Sequence, residues 1–202
     1  MKFSSKYSDF VKHLQKGEIC IFETDTVVGI ACTIYKDFIS SKSKSLNSNI
    51  ERIFQLKKRS YEKKLPLLVS DIEMLNKLTK NISLHTQHLI NKEWPGSTTL
   101  VLEAADYLPP ELIKINKSKK TIAIRIPNNQ ILIDAIKTTG CPLACTSANL
   151  SGESPVNSLN KVNKSLLERV DFVFTQHFYN SSNKPSKIID CINDEFKTIR
   201  FN

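Results

Sequence analysis

Glycine and arginine are scarce in this chain. It has 5 Gly in 202 residues, and of 29 basic residues 24 are Lys and 5 are Arg. No glycine-rich phosphate loop is present: GxxxxGK(S/T), GxGxxG, GxSxG and HExxH are all missing. Their absence excludes a P-loop, a dinucleotide fingerprint, a nucleophile elbow and a zincin helix. Five cysteines (Cys20, Cys32, Cys141, Cys145, Cys191) form no CxxC pair. An odd set without metal-type spacing argues against a disulfide framework or zinc site and for buried thiols in a reducing compartment. No apolar run approaches the ~18 residues that cross a bilayer. The opening MKFSSKYSDFVKHLQKGE lacks the apolar core of a secretory signal. A cytoplasmic protein without membrane contact is expected.

Forty per cent apolar residues exclude a disordered chain. The net charge of +9 comes mostly from lysine in a chain also rich in Asn and Ile. Such a bias often follows coding-sequence composition, so the charge by itself says little about nucleic acid. The five arginines carry more information because few are filler.

Periodicity organises the rest. Tyr7 to Lys16 has a helical stripe at positions 7, 10, 11 and 14, stopped by Gly17. GEICIFET (17–24) and IACTIY (30–35) read as extended, and the Ser/Lys/Asn-rich 36–49 reads as an exposed loop. Helical patterns follow from about Ser48 to Lys58, over 71–78 and over 83–94. Another begins at a capping Asn128 and ends at Gly140. LPLLVS (65–70), TTLVLEA (98–104), TIAIRIP (121–127), PLACTS (142–147), DFVFT (171–175) and KIIDCI (187–192) read as strands. Strands alternating with helices predict an α/β sheet covered on both faces, in one domain over 1–202 without internal repeats.

Four clusters could carry chemistry. Lys57-Lys58-Arg59, with Arg52, Lys63 and Lys64, puts six cations within thirteen residues. Cations suit a helix C-terminus in any case. Lys57, however, falls on the apolar face of Ile50, Ile53 and Phe54, where a lysine must snorkel out or meet an anion. Thr146-Ser147-Ala148-Asn149-Leu150-Ser151-Gly152 follows the apolar strand PLAC, as a ligand loop at a strand's carboxyl end would, and as an ordinary turn would. In TIAIRIP, alternation sets Thr121, Ala123 and Arg125 opposite Ile122, Ile124 and Ile126. Arg125 then either faces solvent or holds a carboxylate or phosphate. Trp94-Pro95-Gly96-Ser97 is a turn entering a strand. His85 and His88 have no third ligand at metal spacing.

Taken in order, TDTVVG (24–29), KKR (57–59), WPGSTTLVL (94–102), RIP (125–127), PLACTSANLSG (142–152) and KPSKIID (184–190) resemble the YrdC/TsaC family over roughly residues 10–200. The resemblance implies an open, twisted mixed sheet with flanking helices around a basic concave cavity. It also implies an activity: L-threonylcarbamoyladenylate and pyrophosphate made from L-threonine, bicarbonate or CO2, and ATP, for threonylcarbamoyladenosine in tRNA. By similarity Lys57 and Arg59 are catalytic. With Lys63, Thr121, Ser147, Asn149 and Arg200 they hold ATP, and Mg2+ arrives with the nucleotide rather than on protein ligands. Thr26, Arg125, the main chain at Cys145, and Ser186 hold threonine. The implied partner is a downstream tRNA threonylcarbamoyl transferase complex, with weak tRNA or RNA contact in addition. The chain departs from the family at Val28, Ser60, Leu68, Ser97 and Lys187, and Arg200 stands near the end of the chain, where tails fray. The alternative function is a double-stranded RNA or tRNA-binding module without catalysis. A third is a carbamoyl-transfer relative acting on another substrate.

Overall fold

The computed structural model describes residues 2–34, 48–80, 82–116, 118–177, 181–194 and 196–201. Most of the expected loop at 36–49 lies outside the described residues.

In chain order the strands are β1 (Lys2–Ser4), β2 (Cys20–Phe22), β3 (Gly29–Thr33), β4 (Leu67–Leu68), β5 (Thr98–Glu103), β6 (Lys114–Asn116), β7 (Lys119–Arg125), β8 (Leu143–Ser147), β9 (Phe172–Phe174), β10 (Lys187–Asp190) and β11 (Lys197–Arg200). The helices are α1 (Tyr7–Gln15), α2 (Ser48–Lys57), α3 (Ile72–Asn76), α4 (Leu84–Glu93), α5 (Gln130–Thr139) and α6 (Lys164–Leu167). The strands form one mixed sheet in the order β1-β9-β2-β3-β8-β4-β7-β5-β10-β11, with β6 paired to β7 as a side hairpin. β4–β7 and β5–β10 are parallel, whereas β3–β8, β4–β8 and β5–β7 are antiparallel. The α/β class and open twisted sheet match the expectation from sequence.

The two faces of this sheet are covered unequally, and that inequality creates the site. Ile30, Leu67, Leu100, Leu102, Ile122, Ile124 and Ala144 point to one face, under Ile50, Ile53 and Phe54 of α2, Leu75 of α3, Ile90 of α4 and Leu166 of α6. Each such aliphatic side chain contributes about 1.5–3 kcal/mol on burial. The other face is covered only at its β9-β2-β3-β8 end. There Phe10 and Leu14 of α1 and Leu132 and Ile136 of α5 pack on Phe22, Leu143, Phe172 and Phe174. Phe10 stacks on Phe174 with centroids 4.4 Å apart and meets Phe22 edge-on at 5.1 Å. Beyond α5 no described helix lies over β7, β5 and β10, and the sheet is open.

Several boundaries differ from the sequence reading. α5 is capped by Asn129, whose side chain accepts from the Leu132 amide, and not by Asn128. Strands β1, β6 and β11 and helix α6 were not expected, because three or four residues are too few to show a period. No helix among the described residues is long and apolar enough to cross a membrane.

Candidate active site

The open face holds a cavity of about 370 Å3. Its floor follows from the period of two. Arg125, Ala123 and Thr121 of β7 share it with Thr99 and Val101 of β5, Leu68 of β4, Cys145 and Ser147 of β8, Gly29 of β3 and Ile188 of β10. The intervening Ile30, Leu67, Leu100, Leu102, Ile122, Ile124, Ala144 and Ile189 are in the core beneath. The cavity is therefore the side of the sheet where small and polar side chains replace large apolar ones.

One lobe is cationic. Helix α2 ends in a Schellman turn: the Lys58 amide donates to the Gln55 carbonyl (3.1 Å) and the Arg59 amide to that of Phe54 (2.9 Å). Lys58 takes the left-handed conformation with φ 49°. The turn swings Arg59 off the helix into the cavity, where its Nε donates to the Lys63 carbonyl (2.7 Å) and its Nη2 to that of Lys64 (3.2 Å). Lys63, Lys64, Lys114 and Arg200 line the same hollow. Among the described residues no carboxylate lies within ion-pair distance of Arg59, Lys63 or Arg200. Burial, then the neighbouring Arg200 charge, pushes the Arg59 guanidinium down; burial and Arg125 do the same to Arg200. Such mutual repulsion is relieved by a bound anion. Arg200 does not sit on a loose tail. It ends β11, opposite Ile188, and bonds Ser186 through Nε to the carbonyl (2.9 Å) and Nη2 to Oγ (3.1 Å).

The other lobe surrounds Arg125, which is 5% exposed. Its Nη1 donates to both Asp25 oxygens (2.9 and 2.7 Å) and to the Gly96 carbonyl (3.2 Å). Among the described residues its Nη2 reaches only Thr26 Oγ1, at 3.5 Å. Thr26 is held by the 24–27 turn, in which Thr24 Oγ1 accepts from the Thr26 and Val27 amides (3.0 and 3.2 Å). Ser186 Oγ meets Thr99 Oγ1 at 2.9 Å nearby. Cys145 has its thiol pushed up to about 12 by burial, so it stands here as a small neutral side chain. Leu68 makes this wall apolar.

Nine of the eleven residues singled out from sequence thus line one hollow: Thr26, Arg59, Lys63, Thr121, Arg125, Cys145, Ser147, Ser186 and Arg200. Lys57 and Asn149 do not. Lys57 is 1% exposed, and its Nζ donates to the Ser147 and Asn149 carbonyls behind the cavity wall. The Asn149 Nδ2 donates to the Leu150 and Glu153 carbonyls (2.8 and 2.7 Å), and its Oδ1 is buried without a partner among the described residues. These two shape the 147–153 loop from within. Asp25 was missed. Its place between two threonines was visible, but its partner lies a hundred residues further on.

An open mixed sheet whose uncovered face gathers cations beside a buried arginine defines an α/β protein with a basic cavity of ligand-pocket size. A family model described as "Telomere recombination" (Sua5, YciO, YrdC) matches residues 12–201, and the chain belongs to this Sua5/YciO/YrdC family. It is 27% identical over 161 residues to threonylcarbamoyl-AMP synthase of Pyrococcus abyssi, covering 79% of this chain and 43% of that protein. It is 30% identical over 141 residues to the Bacillus subtilis protein of that name, covering 69% and 37%, and 26% over 176 residues to that of Marinobacter nauticus, covering 87% and 86%. The chain therefore spans about half the length, or less, of the Pyrococcus and Bacillus relatives. Among solved structures, P. abyssi Sua5 complexed with L-threonine superposes with a TM-score of 0.80 at 24% identity, over 96% of this chain and 53% of that one. Escherichia coli YciO does so with 0.76 at 22% identity, over 96% and 87%. Both show the fold.

Proposed function

We propose that this chain forms L-threonylcarbamoyladenylate and pyrophosphate from L-threonine, bicarbonate or CO2, and ATP. The observation that carries this reading is the two-lobed cavity. Arg59, Lys63 and Arg200, uncompensated among the described residues, face one side, and Arg125 turns its Nε and Nη2 edge to the other, Nη2 making a long 3.5 Å contact to Thr26 Oγ1. The first lobe suits a triphosphate. The second suits an amino-acid carboxylate, which a guanidinium edge receives in a two-bond fork.

In this reading threonine's amine captures CO2 to give N-carboxythreonine. A carbamate oxygen then attacks the α-phosphorus of ATP in line; the new P–O bond forms as the bond to the β-phosphate breaks, and pyrophosphate leaves. The nucleophile is already an anion, so positioning and charge stabilisation suffice without a general base. Arg59, Lys63 and Arg200 offset the phosphate charge, Ser147 and Thr121 orient the phosphate chain, and Arg125, Thr26 and Ser186 fix threonine. Lys57 and Asn149 contribute by holding the loop that carries Ser147.

Among the described residues no group of three or more His, Cys, Asp or Glu could cage a metal, and Glu62 is the carboxylate on the cavity wall. That donor set fits Mg2+ held chiefly by phosphate oxygens, where it would neutralise phosphate charge. Five buried cysteines fit a cytoplasmic protein, and the product calls for a tRNA threonylcarbamoyl transferase complex to consume it. The RNA-binding alternative is less well supported, because the cations converge into a hollow instead of tracking along a face.

Incubation with ATP, threonine, bicarbonate and Mg2+ is expected to release pyrophosphate in a threonine-dependent manner; no threonine dependence overturns the reading. Arg59→Ala is expected to lower the rate on the order of 10²-fold, and an unchanged rate removes Arg59 from the site.

A further inference from the structure

We propose that Asp25 is the positioning residue that sorts the two substrates, by keeping the Arg125 lobe electrically neutral while the Arg59 lobe stays cationic. This rests on the function proposed above.

A lone guanidinium that is 5% exposed and in electrostatic contact with Arg200 would be an attractive site for any small anion. It would compete with the Arg59 lobe for triphosphate. Asp25, 6% exposed, prevents this. Its carboxylate takes Nη1 through both oxygens, at 2.9 and 2.7 Å, and leaves Nη2 and Nε unclaimed apart from the long Thr26 contact. Asp25 is itself held at its side chain and at its main chain. The Asn128 amide donates to its Oδ2 (3.0 Å), and the Asp25 carbonyl accepts from the Ser182 amide (2.8 Å).

Two consequences follow. The guanidinium cannot swing toward the phosphates, so its free edge keeps one aim. The pair also has no net charge, so a polyanion gains little there, whereas an amino acid keeps the two directed hydrogen bonds to its carboxylate and brings its own balancing ammonium. A purely structural salt bridge would hold the fold without deciding which anion binds where.

The test uses tripolyphosphate as the probe. In the wild-type protein one tripolyphosphate is expected per chain by titration calorimetry. It should raise the apparent KM for ATP and leave that for threonine unchanged. Asp25→Asn should bind a second tripolyphosphate, raise the KM for threonine tenfold or more, and make the probe competitive with threonine. Adding Arg125→Gln to Asp25→Asn should return the count to one. Competition with threonine in the wild type overturns the proposal, as does an Asp25→Asn protein that still binds one probe. Should Asp25→Asn fail to fold, the wild-type competition pattern decides alone. The calorimetric count needs no turnover, so a failure of threonine-dependent pyrophosphate release leaves it readable and falls on the proposed function instead.

Discussion

Lys57 is a charged group inside the wall of a cationic cavity. Burial, then nearby Arg59, pushes its pKa down to about 8, while an unfolded chain would show about 10.4. Below pH 8 both states hold the proton, and the folded state bears the full cost of the buried charge. Between about 8 and 10.4 the folded protein releases it first, so stability rises with pH by up to ~1.4 kcal/mol per unit from this group. Lys57→Met is expected to abolish that gain and, at neutral pH, to cost about 1–3 kcal/mol for each carbonyl left unpaired. Urea titrations of both proteins at pH 7 and 10 check this: the gap between them should widen with pH. From sequence, the position of Lys57 on an apolar helix face left a choice between snorkelling and meeting an anion. The structure takes neither course, since two carbonyls from ninety residues away receive the ammonium, and such long-range partners leave no local trace.

Among the elements, the turn at 94–97 looked structural in the sequence and proves to serve the site. A Cβ on Gly96 would lie 2.2 Å from the Glu93 carbonyl oxygen, so the backbone must move to accept any side chain. Gly96→Ala is expected to destabilise by about 1–3 kcal/mol and, because the Gly96 carbonyl bonds Arg125, to raise the KM for threonine more than that for ATP; equal changes in both would separate the turn from the amino-acid lobe. The alternation of β7 was legible, with Thr121, Ala123 and Arg125 on one face as read from TIAIRIP alone, and that face is the cavity side. Lys114 and Asn116 of β6, which also line the hollow, were not legible, because a three-residue strand of alternating polar and apolar character is indistinguishable from a loop. Lys187 pairs with Glu93 at 3.3 Å and braces this same turn.

For the molecule as a whole, the +9 net charge says little until its distribution is seen. Lysines such as Lys77, Lys80 and Lys119 are paired with carboxylates on the surface, while Arg59, Lys63 and Arg200 are left unpaired around one hollow. Salt screens exposed charges over about 8–10 Å at 0.1–0.15 M. Raising NaCl from 50 to 300 mM is therefore expected to increase the KM for ATP several-fold and to leave that for threonine nearly flat; a parallel rise in both would contradict the split between lobes. The inequality of the two sheet faces was not legible, since strand patterns report burial and not which helix lies above. The cavity is lined by residues from Thr24 to Arg200, and β11 docks on β10 only after the ten strands before it have been laid down. During synthesis, then, a ribosome-bound chain can bury most of its apolar side chains long before it can hold a nucleotide; ligand affinity should emerge abruptly, once position 200 has cleared the exit tunnel.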